Sequence, residues 1–223
     1  MKNSVIAASF LWLCLWCTGY TQAECGAPLP AGTPETPPVT APGHPALAQG
    51  VLALAQGVLL IAGKNLLDPN FSRSVVLITE YGDRGTTGLV LNRRTTVAAS
   101  RLLPQLENLA ARLDAIHIGG PVAVNHVNLL VKSGQVPEGA STVVDNIFVV
   151  NSMEALKQLE LENKVEGKIR AYMGFAGWAP GQLETELLRG DWHIWPASST
   201  IIFSETPENI WYELIYLATA KWT

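Results

Sequence analysis

The chain has 223 residues, of which 48% are hydrophobic and 15% charged, and a formal net charge of −4. That is enough apolar material for one good-sized domain with a buried core plus an extension, and too much for a chain disordered throughout. The acidic balance argues against nucleic-acid binding, which uses a basic footprint to displace counterions from phosphates; Arg93, Arg94, Arg101 and Arg112 form only a loose basic cluster, read as a solvated loop and helix face.

In chain order, Lys2 precedes an apolar run from Val5 to Trp16, and Thr21-Gln22-Ala23 follows. This pattern predicts a signal peptide over residues 1–23, cleaved after Ala23. The run falls short of the ~20 apolar residues of a membrane span; retained as an anchor, it would be the only part of the chain to touch a membrane. All three cysteines lie in this region: Cys14 and Cys17 within the run, and Cys25 behind a poor lipobox, Gln22-Ala23-Glu24. Disulfides and cysteine catalysis are thereby excluded from the folded part. Seven prolines between Gly26 and Pro45 predict a disordered tether over 24–47. Export, to the periplasm, is the expectation.

The domain expected over 48–223 opens on a short duplication, Ala48–Leu54 and Ala55–Ile61, one copy starting the domain and the other serving as a helical lead-in. Strands are predicted at Val58–Ala62, Ser74–Tyr81 and Thr86–Asn92, the latter two joined as a hairpin at Gly82–Gly85. A helix fits Val97–Leu113, with Pro104 breaking or restarting it. Short strands follow at Ile116–Ile118, Val127–Lys132 and Ile147–Val150. Ser152 caps a helix to about Asn163 with Met153, Leu156, Leu159 and Leu161 as its apolar positions. Lys168–Phe175 reads as a strand leading into a glycine-rich turn, then a helix from about Pro180 to Arg189 with Leu183 and Leu187 facing the core. Trp192–Trp195 and Ser199–Phe203 read as strands, and Thr206-Pro207-Glu208 starts a last helix burying Trp211, Leu214, Ile215 and Ala218. Strands beside strands with interspersed helices predict a single compact α+β domain with a mostly antiparallel sheet.

The chemistry-bearing patterns are sparse. There is no Gly-x-Ser-x-Gly, His-Glu-x-x-His or Gly-x-Gly-x-x-Gly motif. His117, His126 and His193 are expected to make local hydrogen bonds rather than to bind metal, and a triad of Ser74, His126 and Asp68 has nothing ordering it. The best candidates for a ligand site are Gly119, Gly120, Trp178 and Gln182, with Arg73, Asn92 and Arg93 as polar partners. Glycines let backbone amides approach a ligand, and arginines can fork an anion. The competing reading is structural: the glycines serve tight turns and Trp178 fills the core. No cofactor and no metal is expected.

Several ordered blocks resemble the YqgE/AlgH family of bacterial proteins: Leu67–Val76, Gly88–Arg93, Gly119-Gly120-Pro121-Val122, Gly174–Trp178 through Gly181–Glu184, and Trp192 with Pro196-Ala197. The resemblance implies a compact α+β domain with a barrel-like antiparallel sheet and no established biochemical activity; some members are linked to transcriptional control, including that of alginate production. It also implies a cytoplasmic location, the alternative to export. The chain departs from the family pattern at Tyr81, where histidine is common, at Arg94, where proline is usual, and at Val131-Lys132, where Leu-His is frequent. The expected function is a non-enzymatic domain that binds a protein partner or small ligand, with a regulatory role. The alternatives are an enzyme acting on a small anionic substrate and a transcriptional regulator.

Overall fold

The computed structural model describes residues 52–113, 115–162 and 167–220. The segments read from sequence as a signal peptide (1–23) and a tether (24–47), and most of the first repeat copy, lie outside the described residues. Residues 52–56 carry no regular structure, so no helical lead-in forms there; Leu52, Leu54 and Ala55 pack against the core instead.

Val58–Ala62 (β1) is buried along its whole length, as an unbroken apolar run between two neighbouring strands must be. Val75–Gly82 (β2) and Gly85–Val90 (β3) form the expected hairpin, with Gly82 opposite Gly85 and only Asp83-Arg84 between them. The helix expected over Val97–Leu113 is split into Ala99–Leu102 (α1) and Glu107–Ala111 (α2), because Pro104 brings no N–H to a continuous ladder. Ile116–Ile118 (β4) stands as predicted. Val122–Lys132 (β5) begins earlier than Val127 through an irregular segment in which Ala123 has φ 45°. Ser141–Val144 (β6) was not legible as a strand, and pairs with Ile147–Val150 (β7).

Met153–Glu162 (α3) is capped by Ser152, whose Oγ accepts from the Ala155 N–H at 3.1 Å. It buries Ala155, Leu156 and Leu159, whereas Met153 and Leu161, expected on its apolar stripe, are exposed. Ser199–Phe203, expected as a strand, is instead the short helix Ser199–Ile202, for which Ser198 supplies the cap. The period of so short an apolar run is ambiguous, and the cap decides it. The last helix follows one 3₁₀ turn, Pro207–Asn209, and runs over Ile210–Ala220, burying the predicted Trp211, Leu214, Ile215 and Ala218.

The largest departure concerns the glycine-rich segment. Ile169–Trp178 (β8) does not stop at Phe175 but continues as strand through Gly174-Phe175-Ala176-Gly177-Trp178. Gly174 serves a crossing of two backbones. A Cβ on Gly174, whose φ is 69°, would stand 2.5 Å from the Gly120 carbonyl oxygen, and a Cβ on Gly119 would press on the Gly174 carbonyl in return. The turn comes at Ala179-Pro180-Gly181 and leads into Gln182–Leu188 (α4), with Leu183 fully buried. Trp192–Pro196 (β9) then pairs with β1. In chain order the two remaining helices are Ser199–Ile202 (α5) and Ile210–Ala220 (α6).

The strand order is β6-β7-β5-β8-β3-β2-β1-β9, with β4 pairing off this path on β8. Every ladder is antiparallel except β4–β8. Strand β8 is the spine: β5 pairs along it, while β4 takes Ala171–Met173 and β3 takes Ala176–Trp178. The expected barrel-like sheet curls but is not closed. Its β6 end approaches the start of β1, where the Gln56 side-chain amide donates to the Thr142 carbonyl at 2.6 Å, without a strand ladder joining them among the described residues. One face of the sheet, with Leu130 and Tyr172, belongs to the larger core, which includes Trp211 and Leu214 of α6; the other, with Leu129, Val131 and Ala171, packs under α1, α2 and α3.

Candidate functional site

The seven residues singled out from sequence fall in three places. Around the 67–74 loop, Asn92 accepts the Val75 N–H at its Oδ1 (2.9 Å) and donates from Nδ2 to the Arg73 carbonyl (2.8 Å). Arg73 donates to the Tyr212 hydroxyl at 3.3 Å, and Arg93 to the Pro69 carbonyl at 3.3 Å. Gly119 and Gly120 lie where the β4–β5 connection crosses β8. Trp178 and Gln182 meet at a carboxylate that sequence reasoning passed over. Glu186 accepts the indole N–H of Trp178 (2.9 Å) and of Trp192 (2.8 Å) on one oxygen and the Gln182 amide (3.0 Å) on the other. Phe71 stacks on Trp178 at 5.8 Å and meets Trp192 edge-on at 5.7 Å, so this knot is an aromatic cluster locked by one anion. The neighbouring Glu184 accepts from the Tyr81 hydroxyl at 2.9 Å, which raises the Tyr81 pKa.

The proposed triad residues do not assemble. Buried Ser74 donates to the Phe71 carbonyl at 2.7 Å, and Asp68 accepts the Asn70 N–H at 2.7 Å. His126 is exposed beside a separate cavity of about 490 Å³ that also touches Thr79, Thr87, Asn128 and Phe175. His193 is half-buried on β9, its pKa lowered by burial and then by Lys64. Among the described residues no group of three His, Cys, Asp or Glu could hold a metal ion.

The third strand histidine behaves otherwise. His117 is 3% exposed, and both ring nitrogens are shut off from solvent, with the Ala171 and Ala115 backbones beside them at less than full hydrogen-bond geometry. The ring packs against an aromatic neighbour across the β4–β8 pairing: the His117 and Tyr172 rings lie 5.3 Å apart. The Tyr172 hydroxyl, also buried, has the Arg170 side chain beside it. Burial, then Arg170 and Arg94, push the His117 pKa down to about 4, against a weaker opposing pull from the Ala171 and Ala115 backbones, so the ring is neutral near pH 7.

Above this imidazole is a recess of about 250 Å³ into which Arg94, Arg112, Lys168 and Arg170 converge. The fold brings them together from distant parts of the chain. Arg94 comes from the segment bridging to His117, Arg112 follows α2, and Lys168 and Arg170 lie at the start of β8. Arg170 is held by the carbonyls of Ile202 (3.0 Å) and Ser204 (2.8 Å) at the C-terminal end of α5, where a cation is favoured. Lys168 is paired with Glu205 at 2.7 Å on the rim. Among the described residues, four cations and one carboxylate line the recess over this buried neutral imidazole, in an otherwise acidic chain. A wider groove of about 480 Å³ along Arg93, Thr96 and Glu208 adjoins it through the shared Arg94 and Ala115. The sequence showed Arg94, Arg112 and His117 separately; no spacing rule links them to Lys168 and Arg170.

The chain is similar to proteins of wide bacterial distribution. It is 35% identical over 151 residues to a UPF0301 protein of Chlorobaculum tepidum, covering 67% of this chain and 79% of that one. It is 37% identical over 158 residues to a UPF0301 protein of Mycobacterium bovis, covering 69% and 77%. Among solved structures, a Corynebacterium diphtheriae protein superposes with a TM-score of 0.63 at 26% identity, over 73% of this chain and 86% of that one. The solution structure of the AlgH protein from Pseudomonas aeruginosa gives 0.59 at 28% identity, over 78% and 92%. The family model described as AlgH-like, DUF179, matches residues 59–222, and the chain belongs to that family.

Proposed function

We propose that this domain is a non-enzymatic binding module that seats a small anionic ligand in the recess above His117 and acts in regulation through that occupancy. The observation that carries this reading is the gathering of four basic side chains around one recess, over a buried neutral imidazole. Among the described residues no Ser, Thr or Cys lines the recess, so they offer no hydroxyl or thiol nucleophile beside the imidazole. The enzyme reading built on Arg73, Asn92, Arg93, Trp178 and Gln182 draws less support, since these groups are engaged with backbone, Tyr212 or Glu186.

A role as a DNA-binding regulator draws less support from cations gathered in a compact recess of an acidic chain than it would from a continuous basic face. We further place the protein outside the cytoplasm, on the strength of the leader pattern in residues 1–23. N-terminal sequencing of the fractionated protein tests this, and full-length protein in the cytosol would refute it. Calorimetric titration with a panel of small anions tests the binding reading. Saturable binding that Arg94→Ala and Lys168→Ala weaken is expected. Binding indifferent to both substitutions would refute the site.

A further inference from the structure

The charge and size of the recess narrow the ligand beyond "anion". Its volume, about 250 Å³, lies below the ~300–1,000 Å³ of pockets that enclose drug-sized molecules, so it admits a compact charged group. Glu205 stands on its rim with a side chain 80% exposed, bonded to Lys168. The Glu205 carboxyl is held below its ordinary pKa by the Lys168 hydrogen bond and charge first, and then by Arg170 and Arg94. One carboxylate therefore already feels three of the four cations. It comes from the chain itself, on the loop after α5 whose carbonyls hold Arg170.

We propose that the ligand of this recess is a compact dianionic oxyanion of the phosphate class, and that the Glu205 carboxylate is a tethered stand-in which the ligand displaces from Lys168. This rests on the reading of the recess as a binding site. A single-charge carboxylate offers no advantage over the one already attached. A tetrahedral dianion carries twice the charge and several acceptor oxygens, so it can bridge Lys168 to the arginines. The groups facing that imidazole are Arg170 and Tyr172 from β8 and Arg94 from the bridging segment, with Arg112, Lys168 and Glu205 around the recess.

Arg94 makes the arrangement a property of this chain. At the bridge to His117 the paired hydrogen bonds belong to its neighbours, Thr95 N–H to Ile116 O at 2.9 Å and Ile118 N–H to Arg93 O at 2.8 Å. Its own N–H takes no part in that pairing, so the proline usual in the resembling family can stand here without breaking it. The arginine adds a cation to the recess at no cost to the strand pairing.

The test is calorimetric titration of the purified protein with inorganic phosphate, sulfate and acetate at pH 7.5 and low ionic strength. Wild type, Glu205→Gln and Arg94→Pro are compared, with circular dichroism to verify folding. Phosphate and sulfate are expected to bind and acetate not. Glu205→Gln is expected to tighten phosphate roughly two- to fivefold, the worth of an exposed ion pair expressed as an affinity. Arg94→Pro is expected to weaken it with the fold intact. Equal phosphate affinity in wild type and Glu205→Gln would overturn the stand-in role while leaving the anion site standing. Acetate binding as tightly as phosphate would overturn the ligand class. Binding of no anion by any folded variant would remove the site itself. Tighter binding to duplex DNA or to anionic phospholipid vesicles than to free phosphate would overturn a small soluble ligand as the phosphate source.

Discussion

Acidification should weaken this fold through its buried histidines, His193 acting in the same direction as His117, and the sign and size of the larger effect follow from His117. Its pKa is pushed from 6.5 to about 4 in the folded state, first by burial and then by Arg170 and Arg94. The unfolded chain takes up that proton near the ordinary value, so between these two pKa values the unfolded state binds more protons and stability falls as pH falls. The contribution is complete above about pH 6.5 and exhausted below about pH 4. The full shift corresponds to ~3 kcal/mol, and the part lost between pH 7.5 and pH 5 to about 2 kcal/mol. Glu205 does not confound this window: its pKa is lowered from 4.5, so whatever it contributes is lost only below that value. Urea unfolding followed by tryptophan fluorescence, at pH 7.5 and pH 5, should show wild type losing about 2 kcal/mol more than His117→Asn, whose side chain does not titrate. Equal losses in the two proteins would refute the argument that this imidazole is held neutral.

Other substitutions test the remaining parts of the fold. Glu186→Ala strips two indole N–H groups and an amide of their shared anionic acceptor and should cost about 2–4 kcal/mol, with altered near-ultraviolet circular dichroism; Glu186→Gln, which keeps an acceptor, should cost less. Gly174→Ala forces a methyl against the Gly120 carbonyl at φ 69° and should lose more than ~2 kcal/mol, while Gly177→Ala, whose nearest neighbour would be Phe175 at 3.5 Å, should stay within about 1 kcal/mol by chemical denaturation. Trp211→Phe removes the buried indole bond to the Ala62 carbonyl (2.8 Å) and should lower stability by roughly 1–3 kcal/mol while far-ultraviolet circular dichroism keeps its shape.

The elements that could be read from sequence are those whose signal is local. β1, the β2–β3 hairpin, β4, β7 and the buried stripe of α6 follow from apolar runs, a two-residue loop between glycines, and helical spacing. Misread segments had two candidate periods or a meaning supplied from elsewhere. Ser199–Ile202 could be strand or helix until Ser198 capped it. Gly174–Trp178 looked like a turn because glycine marks turns, yet the segment is strand and Gly174 lets a second backbone cross β8. The three departures from the family pattern also found partners only in three dimensions: Tyr81 with Glu184, Lys132 with the Ser199 hydroxyl at 3.1 Å, and Arg94 in the recess.

By itself, then, the amino-acid order determined an α+β domain of this family, because periodicity, capping and turn chemistry act over a few residues and several ordered blocks coincide. It could not determine the site. Arg94, Arg112, His117, Lys168 and Arg170 are brought together by the bridge at His117, the parallel β4–β8 pairing and the approach of α5 to the start of β8. Whether a cation is a solvated surface charge or part of an anion site depends on which charges and which buried imidazole stand beside it, and long-range strand pairing alone sets those distances.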